Sequence, residues 1–238
     1  MSVHLKRVTL MLEKYPTDKY YPFTLPVLRQ TRSVKLDSAV TCFVGENGSG
    51  KSTLLKAIAR AARIHIWQTE WGTRCRVNPV EELLYKYLRL EWVDGPVPGS
   101  FFGSDVFRDF AKIVEEWSVS DPGQLKYYGG KSLITQSHGE SLMSYFRNRY
   151  RIKGLYLLDE PETALSPKSQ LELLKILGAQ GASGDAQFIV ATHSPILLAC
   201  RGAGIYSFDS VPLRPISYKE TDHYRIYKAF LEDPDKYV

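Results

Sequence analysis

Residues 45–53 read Gly45-Glu46-Asn47-Gly48-Ser49-Gly50-Lys51-Ser52-Thr53 and fit the pattern G-x-x-x-x-G-K-[ST], which in the right context forms a phosphate-binding loop. Its glycines allow a turn tight enough for successive backbone N–H groups to converge on a phosphate. The lysine adds a positive charge over the same phosphates, and the following serine offers its hydroxyl to Mg²⁺. We therefore predict that all nine residues contact a bound nucleotide.

The flanking sequence supplies the context that this pattern requires. Val40–Val44 is a short apolar run typical of a buried strand, and Leu54, Leu55 and Ile58 recur at helical spacing after the loop. A glycine-rich surface turn beside a stray lysine is the alternative. The strand on one side and the helix on the other favour the phosphate-binding loop.

Composition is that of an ordinary globular protein. The chain has 238 residues, of which 44% are hydrophobic and 24% charged. This suits one large α/β domain, or a domain with a small inserted lobe. The net charge of +5 suits a nucleotide binder and leaves nucleic acid open as a partner, although solvated surface lysines explain it as well.

The cysteines and the hydropathy indicate the compartment. Cys42, Cys75 and Cys200 are odd in number and share no metal-ligand spacing, which favours a reducing environment. The first residues lack an apolar core of signal-peptide length, and no run of about 18 apolar residues occurs. We expect a soluble, cytoplasmic protein with no membrane segment of its own.

The rest of the chain alternates predicted strands with predicted helices, which favours a mainly parallel sheet with crossover connections. Predicted strands cover 3–12, 33–37, 88–93, 100–102, 154–158, 188–191 and 205–208. Predicted helices cover 54–62, 81–87 and 105–117, with Asp105 as an N-cap, and further helices begin at Ser137, Ser166 and Thr221. The polar, glycine-rich residues 118–132 are expected to be flexible.

Two aromatic groups leave alternatives open. Tyr20 or Tyr21, in a loop rich in tyrosine and proline, could stack on an adenine ring or pack within its loop. Near the C-terminus, Tyr224, Tyr227, Phe230 and Leu231 recur at helical spacing, and could pack on the sheet or dock a partner.

Two carboxylates follow the apolar strand 154–158. Asp159 at its end can hold Mg²⁺ opposite Ser52, and Glu160 can accept a proton from an attacking water. Adjacent carboxylates beside a low-dielectric sheet repel each other unless a cation lies between them. The alternative is a solvated strand terminus.

A histidine and a serine-rich helix start complete the candidate site. His193 follows the strand 188–191, and the carboxyl ends of parallel strands meet at one ligand crevice. Its imidazole could bind the γ-phosphate or the water held by Glu160, or it could serve only in packing or at the surface. Ser137-His138-Gly139-Glu140-Ser141 opens a helix whose free N–H groups could bind an anion, although a helix cap explains Ser137 equally well.

In this order, the motifs resemble the ABC-type ATPase superfamily over residues 3 to about 210. Gly45–Thr53 resembles its Walker A motif, 155–160 its Walker B motif with the catalytic glutamate, 163–167 its D-loop and His193 its switch histidine. The resemblance implies a P-loop NTPase fold: a mainly parallel central sheet with flanking helices, an N-terminal antiparallel β layer and a small helical lobe. It also implies ATP and Mg²⁺ as cofactors.

The resemblance further implies one domain over 1–238, with a core at about 1–64 and 150–238 and a lobe at about 65–149. Such ATPases form head-to-tail homodimers in the ATP state, so that Ser137, His138, Gly139 and Glu140 of one subunit would close over ATP on the other. Glu160 and His193 would be catalytic.

The chain departs from the transporter members in two ways. Ser-His-Gly-Glu-Ser replaces the signature Leu-Ser-Gly-Gly-Gln, and no glutamine stands where a Q-loop is easily placed. Asp105, or Ser104 beside it, is the substitute we consider for the Q-loop. Ser137 follows Lys51 too closely for the long coiled-coil arms of SMC-type proteins. The chain most resembles short, stand-alone bacterial ATPases that share Gly-Glu-Asn-Gly-Ser-Gly-Lys-Ser-Thr, Ser-His-Gly-Glu-Ser and Leu-Leu-Asp-Glu-Pro-Glu.

Four functions remain open at this point. The leading hypothesis is an ATP-hydrolysing, ATP-dimerised switch that acts on an unknown effector protein or nucleic acid. The others are the ATPase subunit of an ABC transporter, a DNA-maintenance or phage-defence ATPase stimulated by DNA, and a nucleotide sensor without hydrolysis. Glu160 and His193 argue against the sensor, because a sensor needs no base.

Overall fold

A computed structural model describes residues 3–67 and 78–237. The strands are β1 Leu5–Leu10, β2 Ser33–Lys35, β3 Val40–Val44, β4 Leu88–Trp92, β5 Gly99–Gly103, β6 Gly154–Asp159, β7 Ala186–Ala191, β8 Gly204–Ser207 and β9 Arg214–Ile216. The α-helices are α1 Pro26–Gln30, α2 Lys51–Ala61, α3 Phe107–Ser120, α4 His138–Arg149, α5 Pro167–Ser183, α6 Pro195–Leu198 and α7 Asp222–Glu232. The predicted α/β class is therefore confirmed.

The central sheet has six strands in the order β5-β6-β7-β3-β8-β9. All neighbouring pairs in it are parallel except β8 and β9. Every residue of β3, β6 and β7 is buried. Strands covered on both faces need no polar alternation, which is why these three are apolar except at Thr41, Asp159 and Gln187.

A second, antiparallel sheet in the order β2-β1-β4 covers one face of this core. Fully buried Gln187 of β7 fastens the two sheets together: its Oε1 accepts hydrogen bonds from the N–H of His4 (2.9 Å) and of Leu5 (2.7 Å), and its Nε2 donates to Leu5 O (2.9 Å). The amide thus satisfies backbone groups that would otherwise be buried without partners. The predicted antiparallel layer is confirmed.

The helical lobe is formed by α3, the 3-10 helix Pro122–Tyr128 and α4, which share an aromatic core with the sheet. Strands β4 and β5 fall inside the predicted lobe range of 65–149, yet β4 pairs with β1 and β5 pairs with β6. The helical part of that range therefore begins after β5.

Two local predictions are wrong. Residues 81–87 form a turn followed by a 3-10 helix, Leu84–Tyr87, because only Leu84 of that segment is buried and no helical face can form. Asp105 does not cap α3, whose N-cap is Val106 without a side-chain cap. Within residues 118–132, whose flexibility stays a prediction, α3 runs to Ser120 and Asp121 caps the 3-10 helix that follows.

The C-terminal helix α7 contacts the core through one side only. Tyr224 packs against Tyr218 with ring centroids 4.8 Å apart, whereas Tyr227, Phe230 and Leu231 are exposed. The predicted packing is therefore observed for Tyr224 but not for the other three residues. Docking of a partner stays a prediction.

The expectations about membrane segments and cysteines can be compared with the described residues. Within residues 3–67 and 78–237, every helix is too short or too polar to span a bilayer. Cys42 and Cys200 are buried free thiols, and Cys75 lies outside the described residues.

Candidate nucleotide-binding and catalytic site

Three neighbouring strands bring the predicted site residues to one edge of the central sheet. β3 leads into the loop at Gly45, β6 ends at Asp159, and β7, which lies between them, leads to His193. Backbone hydrogen bonds hold the ends in register: Glu160 N donates to Ala191 O (2.9 Å), and Thr192 N donates to Phe43 O (3.1 Å). Parallel strands thus gather residues that are more than 100 positions apart in the chain.

The loop backbone requires glycine at both ends. Gly45 has φ +149°, and a Cβ there would lie 2.9 Å from Oδ1 of Asp209. Gly50 has φ +104° and would bring a Cβ to 2.9 Å from a methyl carbon of Leu25. Asp209 also accepts a hydrogen bond from Glu46 N (2.8 Å), so this carboxylate, which follows β8, fixes the start of the loop.

Lys51 lies folded into the loop and is only 4% exposed. Its Nζ donates to the carbonyl oxygens of Gly45 (2.6 Å) and Glu46 (2.8 Å). Burial lowers the pKa of Lys51, and the nearby carboxylates of Glu160, Asp209 and Asp159 oppose that shift. A buried ammonium surrounded by loop carbonyls is suited to hold the phosphates of a nucleotide.

Ser52 and Asp159 meet directly, with Ser52 Oγ donating to Asp159 Oδ1 at 2.7 Å. Burial raises the pKa of Asp159, while the Ser52 hydrogen bond and Lys56 act in the opposite direction. Lys56 Nζ lies 4.0 Å from Asp159 Oδ2 and 3.9 Å from Asp105 Oδ2. Asp105, the predicted Q-loop substitute, and Asp159 therefore share Lys56 as an ion-pair partner.

This pair suits Mg²⁺. The ion prefers oxygen ligands and is usually held by one or two carboxylates together with substrate phosphates. Asp159 is a carboxylate only 8% exposed whose pKa is raised by burial, so a cation would stabilise its charged form. Ser52 and Asp159 are the residues that would hold the ion.

Glu160 adopts a left-handed backbone conformation, with φ 45° and ψ 54°. This conformation costs a residue with a Cβ on the order of 1–2 kcal/mol. Strain of this kind gathers at active sites, where the surrounding structure enforces it. Here it directs the carboxylate towards His193, whose Nε2 lies 3.6 Å from Glu160 Oε1.

His193 is held by its backbone and by its ring. Its N–H donates to Glu162 Oε1 (2.5 Å), and its Nδ1 lies 2.9 Å from Nε2 of His223 on α7. Burial lowers the pKa of His193, with a further contribution from Lys51, and burial also lowers the pKa of His223. Among the described residues, Nε2 of His193 is a buried atom with no hydrogen-bond partner.

Of the two candidate tyrosines, Tyr21 lies at the phosphate loop. Its hydroxyl hydrogen-bonds the side chain of Thr53, and its backbone carbonyl accepts from Asn78 Nδ2 (2.6 Å). With Ser52, Thr53, Lys56 and Arg60, Tyr21 lines a pocket of about 270 Å³. Base stacking by Tyr21 remains a prediction.

The predicted trans segment is exposed and caps itself. Ser137 Oγ donates to Glu140 Oε2 (2.5 Å), Ser137 N donates to the same oxygen (3.1 Å), and Glu140 N donates back to Ser137 Oγ (3.4 Å). These bonds form a capping box at the start of α4. His138 lies beside Phe107, with ring centroids 6.1 Å apart, and Gly139 is half-buried.

Sequence reasoning missed Asp209, Glu162 and His223. Asp209 follows β8 at the same sheet edge, so the reasoning that identified His193 could have identified it. Glu162 and His223 contact His193 from about 30 positions away in the chain, and no local sequence pattern indicates these contacts.

Two protein-family models match the chain. One, described as "AAA domain, putative AbiEii toxin, Type IV TA system", covers residues 93–199, and the other, described as "AAA domain", covers residues 23–62. The second match contains the phosphate loop. The first contains Ser137–Glu140, Asp159, Glu160 and His193.

Related proteins support the same class. A Sulfurisphaera tokodaii protein described as "Putative ABC transporter ATP-binding protein" is 27% identical over 206 residues, which cover 77% of this chain and 40% of that protein. The phosphonates import ATP-binding protein PhnC of Bordetella parapertussis is 24% identical over 216 residues, which cover 79% of this chain and 80% of that protein. This chain therefore spans well under half the length of the first relative.

A solved structure, cbiO1 from Clostridium perfringens, part of the ABC transporter complex cbiONQ, shares the fold with a TM-score of 0.55 and 17% identity, covering 98% of this chain and 97% of that chain. The fold is that of a P-loop NTPase. Within that class, the two family models and the two relatives support an ABC/AAA-type ATPase superfamily.

Proposed function

We propose that this protein binds ATP with Mg²⁺, hydrolyses it to ADP and phosphate, and uses the ATP-bound state as a dimeric switch on a partner. The observation that carries this proposal is the cluster of Lys51, Ser52, Asp159, Glu160 and His193 at one sheet edge, including the 2.7 Å contact between Ser52 and Asp159. Members of the superfamily are ATPases, which supports the reaction.

In the reaction, Lys51 and the loop N–H groups bind and orient the triphosphate. Glu160 accepts the proton of a water molecule as the water oxygen bonds to the γ-phosphorus and the bond to the bridging oxygen breaks. His193 holds the water or the γ-phosphate through Nε2, the buried nitrogen that has no partner among the described residues. Bound Mg²⁺ would supply charge neutralisation at the phosphates.

The exposed Ser137–Glu140 segment supports a dimer. Its hydrogen bonds are made within its own helix turn, and a helix N-terminus is a ready anion site. In the proposed head-to-tail dimer, this turn of one subunit closes over the ATP of the other. Hydrolysis then opens the dimer and releases the effector, which we propose to be a cytoplasmic protein or nucleic acid.

The test is Glu160→Gln, which keeps the shape of the side chain and removes the base. We expect phosphate release to fall about 100-fold or more, because a general base contributes that much. ATP affinity should change little, and light scattering with ATP and Mg²⁺ should report a dimer. Glu172→Gln, at an exposed ion pair with Arg147, is the matched control and should behave as wild type.

Unchanged turnover in Glu160→Gln would contradict the assignment of the base. A protein that binds ATP and stays monomeric would instead contradict the dimer. The two outcomes are independent, so each part of the proposal fails separately.

The names of two relatives favour one alternative, the ATPase subunit of an ABC transporter. It requires an integral membrane partner. Co-purification of the tagged protein with such a partner from detergent-solubilised membranes would support it, whereas full ATP turnover and recovery in the membrane-free fraction would count against it. The DNA-stimulated alternative stays a prediction from the sequence.

A further inference from the structure

We propose that His223 is a positioning residue for His193: it holds the His193 imidazole in the tautomer whose Nε2–H faces Glu160 and the phosphate loop. The inference rests on the proposed ATPase function and concerns a residue outside every motif described above. It is carried by the 2.9 Å contact between His193 Nδ1 and His223 Nε2.

The hydrogen positions follow from the neighbours of each nitrogen. A neutral imidazole has one donor and one acceptor nitrogen, and a partner on one nitrogen sets the state of the other. Nε2 of His193 lies 3.6 Å from a carboxylate oxygen of Glu160. A lone pair on Nε2 would face that oxygen unfavourably, whereas an N–H there is attracted to it.

Nδ1 of His193 must then accept a hydrogen bond, and the group that can donate to it is Nε2–H of His223. The rings lie 5.0 Å apart, centroid to centroid, at an angle of 52°, so they meet through their nitrogen-bearing edges rather than by stacking. Without His223, the ring could rotate or exchange its proton between nitrogens, and Nε2 would lose its fixed donor.

The fold keeps His223 in place through the start of α7. Thr221 is buried, caps the helix by accepting from Tyr224 N (3.2 Å) and donates to Tyr218 O (2.8 Å). Tyr218 in turn donates from its hydroxyl to Pro195 O (3.0 Å), two residues beyond His193. The histidine pair is therefore braced by the same segment that carries the catalytic ring.

The test compares His223→Ala with His223→Gln. The glutamine amide places a donor near the position of Nε2, whereas alanine removes it. We expect kcat for ATP hydrolysis to fall about tenfold in His223→Ala, as for other groups that orient a functional histidine, and to recover at least half in His223→Gln. The dissociation constant for ATP should stay within about twofold in both, since Lys51 and the loop bind the phosphates.

A second readout is independent of turnover. Long-range ¹H–¹⁵N spectra of the His193 ring report which nitrogen carries the proton. We expect the Nε2–H form in wild type and His223→Gln, and a mixture of tautomers in His223→Ala. Tyr227→Ala, at an exposed position of the same helix, should leave both kcat and the spectra unchanged.

An unchanged kcat together with unchanged His193 spectra in His223→Ala would overturn the inference. A wild-type protein without ATPase activity would instead remove the proposed function. In that case, the spectra would still decide whether His223 orients His193.

Discussion

At the strand ends, Lys51, Asp159 and His193 reach one another from different parts of the chain, and each is largely or half-buried. At the start of α4, Ser137 and Glu140 are exposed and make their hydrogen bonds with each other. Buried polar groups need partners, and the strand-end cluster holds one buried nitrogen, His193 Nε2, that has none among the described residues. The helix start needs no partner to be stable.

The difference suggests a division of roles. The strand-end cluster is built within one chain, so a single subunit should bind ATP. The Ser137 turn is stable without a ligand and faces solvent, so its catalytic contribution should arise only when another molecule meets it. Each prediction below tests whether the two regions differ in this way.

The largest effect is expected from Ser137→Arg. The arginine side chain blocks close approach of a second subunit and places a positive charge at a helix N-terminus, which is unfavourable. We expect ATP turnover to fall at least tenfold, while ATP binding to the single chain stays within about twofold. Equilibrium binding of a fluorescent ATP analogue and phosphate release measure the two quantities.

Mixing experiments make this test specific to the dimer. Lys51→Ala has a defective nucleotide site and an intact Ser137 turn, whereas Ser137→Arg has the converse. In a head-to-tail dimer, a mixture of the two should recover up to about a quarter of the wild-type rate, since about half of random pairs are mixed and each mixed pair holds one intact site. No recovery, with both variants folded and mixed dimers detected by native mass spectrometry, would contradict a role in trans.

A smaller effect is expected at Tyr21, where we predict that the base of ATP stacks. Tyr21→Ala should weaken ATP binding about three- to tenfold, which is the contribution of one aromatic stacking contact. Tyr21→Phe keeps the ring and loses the hydroxyl that contacts Thr53, so most of the affinity should remain. Tyr20 is 52% exposed, so Tyr20→Ala is the control and should change affinity by less than about twofold. Equal losses at both tyrosines would argue against stacking by Tyr21.

The same contrast explains what the sequence could predict. Asp159 ends a fully buried strand, Lys51 and His193 follow two others, and parallel strands bring such positions together whatever the loops between them do. The central sheet and the grouping of these residues could therefore be predicted. Base contact could not be assigned between Tyr20 and Tyr21, because the choice depends on how the loop meets α2.

The contacts of the C-terminal helix α7 could not be predicted from the sequence. His223 meets His193 across 30 positions, and nothing in the spacing of α7 indicates which side faces the sheet. Asp105 looked like a helix cap because local capping rules favour aspartate. In the structure, its carboxylate lies 3.9 Å from Lys56 Nζ instead, and α3 starts without a side-chain cap.

The smallest effect is the dependence of stability on pH, which should differ between the two regions. Burial lowers the pKa of His193 and His223 below the ordinary 6.5, so on acidification the unfolded chain takes up protons before the folded one. Stability from this pair is present above about pH 6.5 and is lost as the pH falls through the folded-state pKa values. Asp159 and Glu162 act oppositely, because burial raises their pKa and the folded state then binds protons first.

We therefore compare wild type with the double variant His193→Gln/His223→Gln, in which the carboxylates are unchanged. The free energy of unfolding from urea titrations should fall more steeply in wild type between about pH 6.5 and 5, whereas Ser137→Ala, at the exposed turn, should keep the wild-type slope. Equal slopes in wild type and the double variant would mean that the histidine pair is not buried as the structure has it.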